Sequence, residues 1–184
     1  MNDSMTLSKR SAAKALITAV SVAAAVALPQ LFHAIGSVSG TGPAVGTALL
    51  PMHLPVILAG LTGGPAAGII AGLASPLISS LISGMPAMAL LPFMMIELSV
   101  YGAVSGLISK AKLNSFAKLL IVQLSGRAAR AAAVLVSVYA LGNTALTAAS
   151  AVEFITAGLF GIIIQWAVIP LLADRMEGIK KLYE

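Results

Sequence analysis

An all-α integral membrane protein, a compact bundle of six transmembrane helices forming one domain over residues 1–184, is the fold class that three observations predict. Of the 184 residues, 59% are hydrophobic and only 9% are charged, whereas an ordinary soluble domain is about 25% charged. Apolar runs recur near the roughly 20 residues of helix that cross a hydrocarbon core about 30 Å thick. The Lys and Arg residues gather at alternate ends of those runs, as the positive-inside bias requires. This composition excludes a soluble globular protein. With no cysteine, disulfides, thiolate metal sites, iron–sulfur ligation and cysteine nucleophiles are excluded as well. Two histidines, His33 and His53, cannot alone complete a zinc site. The net charge of +5, spread along a membrane chain, reports topology rather than nucleic-acid binding.

The first span is expected at about 11–35, after Lys9, Arg10 and Lys14 and with Pro29 bending its far end. The same stretch also reads as a signal peptide, since a basic start, the apolar run 15–28 and the small triplet Ala25-Val26-Ala27 fit cleavage. A Gly/Ser/Thr-rich connection, 36–47, follows. Apolar sequence then runs from Ala48 to Ile82, too long for one perpendicular helix, and Gly63-Gly64-Pro65 should break it. That gives two short spans, about 49–64 and 66–83, closed by the turn Ser83-Gly84-Met85-Pro86. The remaining spans are expected at about 88–109, 115–141 and 151–173. An even number of spans puts both termini on one side. With the termini cytoplasmic, Lys9, Arg10, Lys14, Lys110, Lys112, Lys118, Arg175, Lys180 and Lys181 all lie inside, and the outer connections 36–48, 83–87 and 142–150 hold no Lys or Arg. The expected location is the cell membrane, multi-pass.

Helices in lipid gain little from the hydrophobic effect among themselves, so small residues that allow close approach mark contact faces. Ala15, Ala19, Ala23 and Ala27 recur every four residues along the first span. Gly60, Gly64, Gly68 and Gly72 do so across the second and third, and Gly102 and Gly106 add a further pair. Either row could pack internally, and the alanine row could instead dock another membrane protein.

Ionisable groups inside a span are costly unless paired or hydrated, so each is a candidate for function. Three lie well inside: Glu97 in the fourth span, and Arg127 and Arg130 in the fifth. The two arginines are three residues apart and share a helix face with Gln123 and Val134, while Glu97 shares one with Met94 and Tyr101. His33, His53, Asn143 and Glu153 fall toward the outer side. Polar residues concentrated there suit a water-accessible cavity open to the outside. An ion pair of Glu97 with an arginine would be structural; two arginines against one carboxylate leave a positive surplus that favours an anionic ligand, which guanidinium binds in a fork. For the histidines, ordinary hydrogen bonding is the plainer reading, and Trp166 with Gln165 reads as bundle packing.

Enzymatic machinery is missing. The chain has no GxxxxGK[ST] phosphate loop, no HExxH and no transmembrane aspartate pair, and the segment Gly102-Ala103-Val104-Ser105-Gly106 has no later-span histidine to activate its serine. Neither enzymatic activity, nor a cofactor, nor a bound metal is expected.

The order Leu50-Pro51-Met52-His53-Leu54-Pro55, Leu58-Ala59-Gly60, Gly64-Pro65-Ala66-Ala67-Gly68 and Gly72, with Ser125-Gly126-Arg127-Ala128-Ala129-Arg130 farther on, resembles the substrate-binding S component of energy-coupling factor (ECF) vitamin transporters. The likeness spans nearly the whole chain, including its size and its alanine-rich first helix. It implies a membrane-embedded binding protein without ATPase activity that captures a vitamin or related micronutrient outside. Such a protein delivers its ligand by toppling in a complex with a transmembrane T component and two ATPases. It also implies that Ala15 and Ala19, with Ala23 continuing the row, meet the T component. The ligand pocket would be lined by the outer halves of the helices and a long first outer loop, about 36–50. The resemblance does not supply the substrate, because pocket residues are hardly shared within the family. On this reading Arg127 and Arg130 anchor a small anionic ligand, Glu97 orients them or accepts a ligand hydrogen bond, and His33, His53 and Asn143 complete the binding set. Pantothenate or a folate meets the carboxylate requirement; cobalamin or a flavin would use the loops. The alternatives are a stand-alone proton-coupled secondary transporter or channel, with Glu97 carrying protons, and a non-transporting membrane scaffold.

Overall fold

A computed structural model describes residues 2–42, 44–156 and 158–180, and no strand occurs among them. Eight helices follow one another in these residues: α1 Asn2–Ser39, α2 Ala44–Leu49, α3 His53–Gly63, α4 Pro65–Ser83, α5 Leu91–Leu107, α6 Ser115–Tyr139, α7 Ala148–Thr156 and α8 Leu159–Lys180. Three stretches are long and apolar enough to cross a membrane, namely Ser8–Ser39 within α1, α4 and α6. Three further apolar helices are shorter: α3, α5 and the Leu159–Ala173 part of α8.

Local chemistry sets the boundaries. Gly64, at φ +89°, breaks the long apolar run, and Pro65 opens α4, where its missing N–H costs nothing. Gly84 ends α4 in the left-handed conformation, its N–H donating to the Ser80 carbonyl, a common glycine stop. Asn114 caps α6 by accepting the Ala117 N–H at 2.7 Å. The break at Gly63-Gly64-Pro65 and the turn at 84–90 agree with the sequence.

Two expectations are corrected. The sixth span, 151–173, is not one helix but α7 and α8, because the chain turns at Gly158. The first connection is not all loop: α1 continues to Ser39, and α2 occupies Ala44–Leu49.

The glycines explain how tightly the centre packs. A Cβ on Gly68 would strike the Gly102 backbone, one on Gly72 the Leu98–Ser99 peptide, and one on Gly106 the Gly64–Pro65 peptide. The glycine row is therefore an internal seam that lets α3 and α4 lie directly on α5. The alanine row is not: Ala15, Ala19, Ala23 and Ala27 face outward from α1 and flank an open groove with Ile70 and Ile78 of α4.

Apolar side chains fill the core, with Val56, Ile57 and Leu98 fully buried, and also cover much of the surface. Glu97, His53, Arg127, Arg130, Gln123 and Gln165 are buried, whereas Leu81, Leu107, Phe160 and Leu171 are at least 70% exposed. Such an apolar exterior is stable in contact with lipid tails and aggregation-prone in water.

Candidate functional site

Three helices place the buried ionisable groups. Glu97 and Tyr101 stand one turn apart on α5, Arg127 and Arg130 occupy one face of α6, and His53 begins α3. Tyr101 fits against α6 because residue 126 is glycine; any Cβ there would enter the Tyr101 ring.

Glu97, with no solvent exposure, gathers the cluster. Arg130 Nη1 donates to its Oε2 at 2.6 Å. On the other oxygen, Oε1, Tyr101 donates its hydroxyl at 3.2 Å, Arg127 Nη1 pairs at 3.3 Å and His53 Nε2 stands at 3.7 Å. The His53 and Tyr101 rings meet edge-on with centroids 5.3 Å apart. Charged hydrogen bonds of this kind are about twice as strong as neutral ones. They also fix both guanidinium planes, leaving little freedom for the arginines to lose on binding a ligand.

Beside the cluster lies a cavity of about 200 Å³. Arg127, Arg130 and His53 form its polar wall, and Glu97 lies behind them, outside the lining. Pro29, Leu50, Met52, Pro86, Leu90 and Met94 supply most of the apolar surface, with Ser79 and Met85 at one side. Small-ligand sites have this composition: an apolar chamber with a few fixed polar groups. Two guanidinium groups set against one carboxylate make the wall attractive to anions. Most of the lining comes from the end of the bundle where α3 begins and α4 ends, and Arg127 joins it from the middle of α6.

His33, near the end of α1, is half-buried on the same wall. Asn143 is placed elsewhere. Its Nδ2 donates to Ser137 Oγ at 2.8 Å and its Oδ1 accepts the Ala145 N–H at 2.8 Å, which ties the turn after α6, and it does not line the cavity. The structure thus joins His53, Glu97, Arg127 and Arg130 and adds His33 to the cavity beside them.

Sequence reading did not give a site role to Tyr101, although it sits four residues from Glu97 on the shared face. Met52 and Met94 also line the chamber, and Gly158 admits Arg127: a Cβ at 158 would lie 2.6 Å from Arg127 Nη2. No pattern in the sequence marks that glycine, because its partner is 31 residues away.

A second buried polar group lies one turn nearer the start of α6, at Gln123. Trp166 Nε1 donates to Gln123 Oε1 at 2.6 Å, and Gln123 Nε2 donates to Gln165 Oε1 at 3.1 Å. This arrangement joins α6 to α8 and accounts for Gln165 and Trp166 as packing residues.

No protein-family model matches the chain, and searches of curated proteins and of solved structures give no match.

Proposed function

We propose that the chain is the substrate-binding S component of an ECF-type importer, a six-span cell-membrane protein with both termini cytoplasmic. It takes up a small anionic vitamin or related micronutrient and hands it across by toppling with a T component and two ATPases. The observation that carries this reading is the pair Arg127 and Arg130, held by Glu97, on the wall of an otherwise apolar cavity at one end of the bundle. With the basic residues inside, that end faces outward. The six spans are then α1, α3, α4, α5, α6 and the α7–α8 unit. The 11 residues of α3 reach only about 16 Å at 1.5 Å per residue, but nine of them are buried. A short segment enclosed by protein need not match the lipid thickness.

The exposed alanine row supports the second half of the reading. Ala15, Ala19 and Ala23 are exposed along the open groove beside α4, and small side chains let another membrane helix approach closely. A stand-alone proton-coupled carrier or channel is the second reading, favoured by the fully buried carboxylate of Glu97, since intramembrane carboxylates serve as proton relays.

Purification from the native membrane tests both. The first reading expects a stable complex with a transmembrane protein and ATPases, and mass spectrometry should release an anionic small molecule from the purified chain. A chain that purifies alone and carries out proton-driven uptake in vesicles would replace it with the second.

A further inference from the structure

Three cationic side chains that the cavity beside Glu97 does not use meet at the opposite end of the bundle, where α3 ends and α4 begins. Arg10 and Lys14 stand one turn apart on α1 and Lys110 follows α5; all three are exposed and line one pocket of about 430 Å³. The turn from Gly63 to Pro65 forms another side of it, so α4 starts there and adds the positive end of its dipole. No acidic residue is in the lining, and the remaining polar side chains are engaged locally: the Thr62 hydroxyl donates to the Leu58 carbonyl at 2.7 Å and the Ser109 hydroxyl to the Gly106 carbonyl at 2.8 Å. Topology asks only that Lys and Arg lie at one end of the spans. It does not ask that cations from α1 and from the segment after α5 share a pocket.

The pocket continues into an apolar groove. α1 and α4 run in the same direction, because a Cβ on Gly63 would touch Ile17 and Gln30 Nε2 donates to the Ser79 and Ser83 hydroxyls at 3.2 and 2.9 Å. Along this stretch the two helices flank the groove of the alanine row, with Val22, Val26, Ile70 and Ile78 in its walls. Thr18 lines the groove too, and its hydroxyl donates to the Lys14 carbonyl one turn away at 2.8 Å, so the groove begins where the basic pocket ends. One leaflet's hydrocarbon is about 15 Å deep, or about ten residues of helix, the reach from Lys14 to Ala24.

We infer that this strip seats one anionic phospholipid of the leaflet at that end, its phosphate among Arg10, Lys14 and Lys110 and an acyl chain in the groove. Basic pockets between membrane helices suit such head groups. The inference is independent of the transport reading; a partner helix docking on the alanine row would displace the acyl chain.

Native mass spectrometry of the purified full chain in detergent, titrated with dioleoyl phosphatidylglycerol or dioleoyl phosphatidylcholine, tests it. One phosphatidylglycerol per chain should be retained, about tenfold more tightly than phosphatidylcholine. Combining Arg10→Gln, Lys14→Gln and Lys110→Gln should weaken phosphatidylglycerol by roughly 100-fold, about fivefold for each cation. Combining Lys9→Gln, Lys112→Gln and Arg175→Gln, which removes the same charge at the same end but outside the pocket, should leave it unchanged. Equal retention of the two lipids by the wild-type chain would overturn the inference whether or not the variants fold, as would equal losses in the two triple variants. If glycerol 1-phosphate displaces the lipid at equal concentration, the pocket serves a soluble phosphate and the inference fails. Ala19→Leu narrows the groove and should weaken phosphatidylglycerol with the basic pocket intact; unaltered binding would overturn the seat of the acyl chain.

Discussion

Arg130 Nη1 and Glu97 Oε2 meet at 2.6 Å across the α5–α6 contact, with the two side chains 10% and 0% exposed. A pair so enclosed stays charged only because each partner is present; removing one leaves the other uncompensated, at a cost of about 3–5 kcal/mol. Glu97 holds two guanidinium groups, so its loss costs more than the loss of either arginine.

Glu97→Gln should therefore lower the thermal unfolding midpoint in detergent by several degrees, and by more than Arg127→Ala does. Ligand binding should weaken only modestly, and transport should keep its pH dependence, because an orienting carboxylate carries no proton. Loss of that pH dependence in the variant would mark Glu97 as a proton carrier.

Gly158→Val tests the positioning of Arg127. The added side chain would press on Leu50 and on the Arg127 guanidinium, and overpacking of this kind costs about 1–3 kcal/mol. Ligand affinity should fall with helicity retained, as circular dichroism beside calorimetry would report. A variant with unaltered affinity would mean that Arg127 can bind ligand from another position.

The helix breaks were legible where punctuation acts locally: Gly63-Gly64-Pro65 and Ser83-Gly84-Met85-Pro86 each interrupt a helix through their own backbone chemistry. The pairing of Glu97 with Arg127 and Arg130 was legible because charged groups in an apolar run have few places to go. The division of α7 from α8 was hidden, since the turn at Gly158 belongs to a contact with Leu50 and Arg127 that no local pattern records. The same holds for the facing of the alanine and glycine rows. Both have the four-residue spacing, and only tertiary packing places one inside against α5 and the other outside.

The outward alanine row gives a separable prediction. Ala15→Leu or Ala19→Leu adds bulk to an exposed face, so the isolated chain should fold and bind its ligand as before. Close approach of a partner helix would be blocked, and both complex formation and uptake should be lost. The measurement is co-purification with the proposed partner membrane protein alongside ligand binding; loss of folding would point instead to a packing role within this chain.

Topology is open to direct labelling because the chain has no cysteine of its own. Single cysteines at Ser39 and Ser83 should react with an impermeant thiol reagent applied to intact cells, and one at Ser115 should not. Ser39 closes α1 and Ser83 closes α4, at the end that holds the cavity, whereas Ser115 opens α6 at the opposite end. Labelling of Ser115 from outside would overturn the proposed six-span arrangement.

The proposed anion site has the sharpest test. On the proposed reading, Arg127→Ala or Arg130→Ala removes a charge-assisted contact to the ligand in a partly enclosed cavity, where such bonds are worth about 1.5–3 kcal/mol, roughly 10- to 100-fold in dissociation constant. Arg130 should matter in a second way, since its guanidinium is held by the shorter contact to Glu97 and the variant leaves that carboxylate with Arg127, Tyr101 and His53. Lysine should rescue only partly: it keeps the charge but presents a compact point donor instead of a planar fork, and its ammonium cannot bond Glu97 and a ligand anion with the same geometry. Calorimetry with the molecule that co-purifies with the wild-type chain measures all four variants on one scale. Affinity unchanged in both alanine variants, with the chains folded, would leave the arginines as structural partners of Glu97 and remove the anion from the ligand.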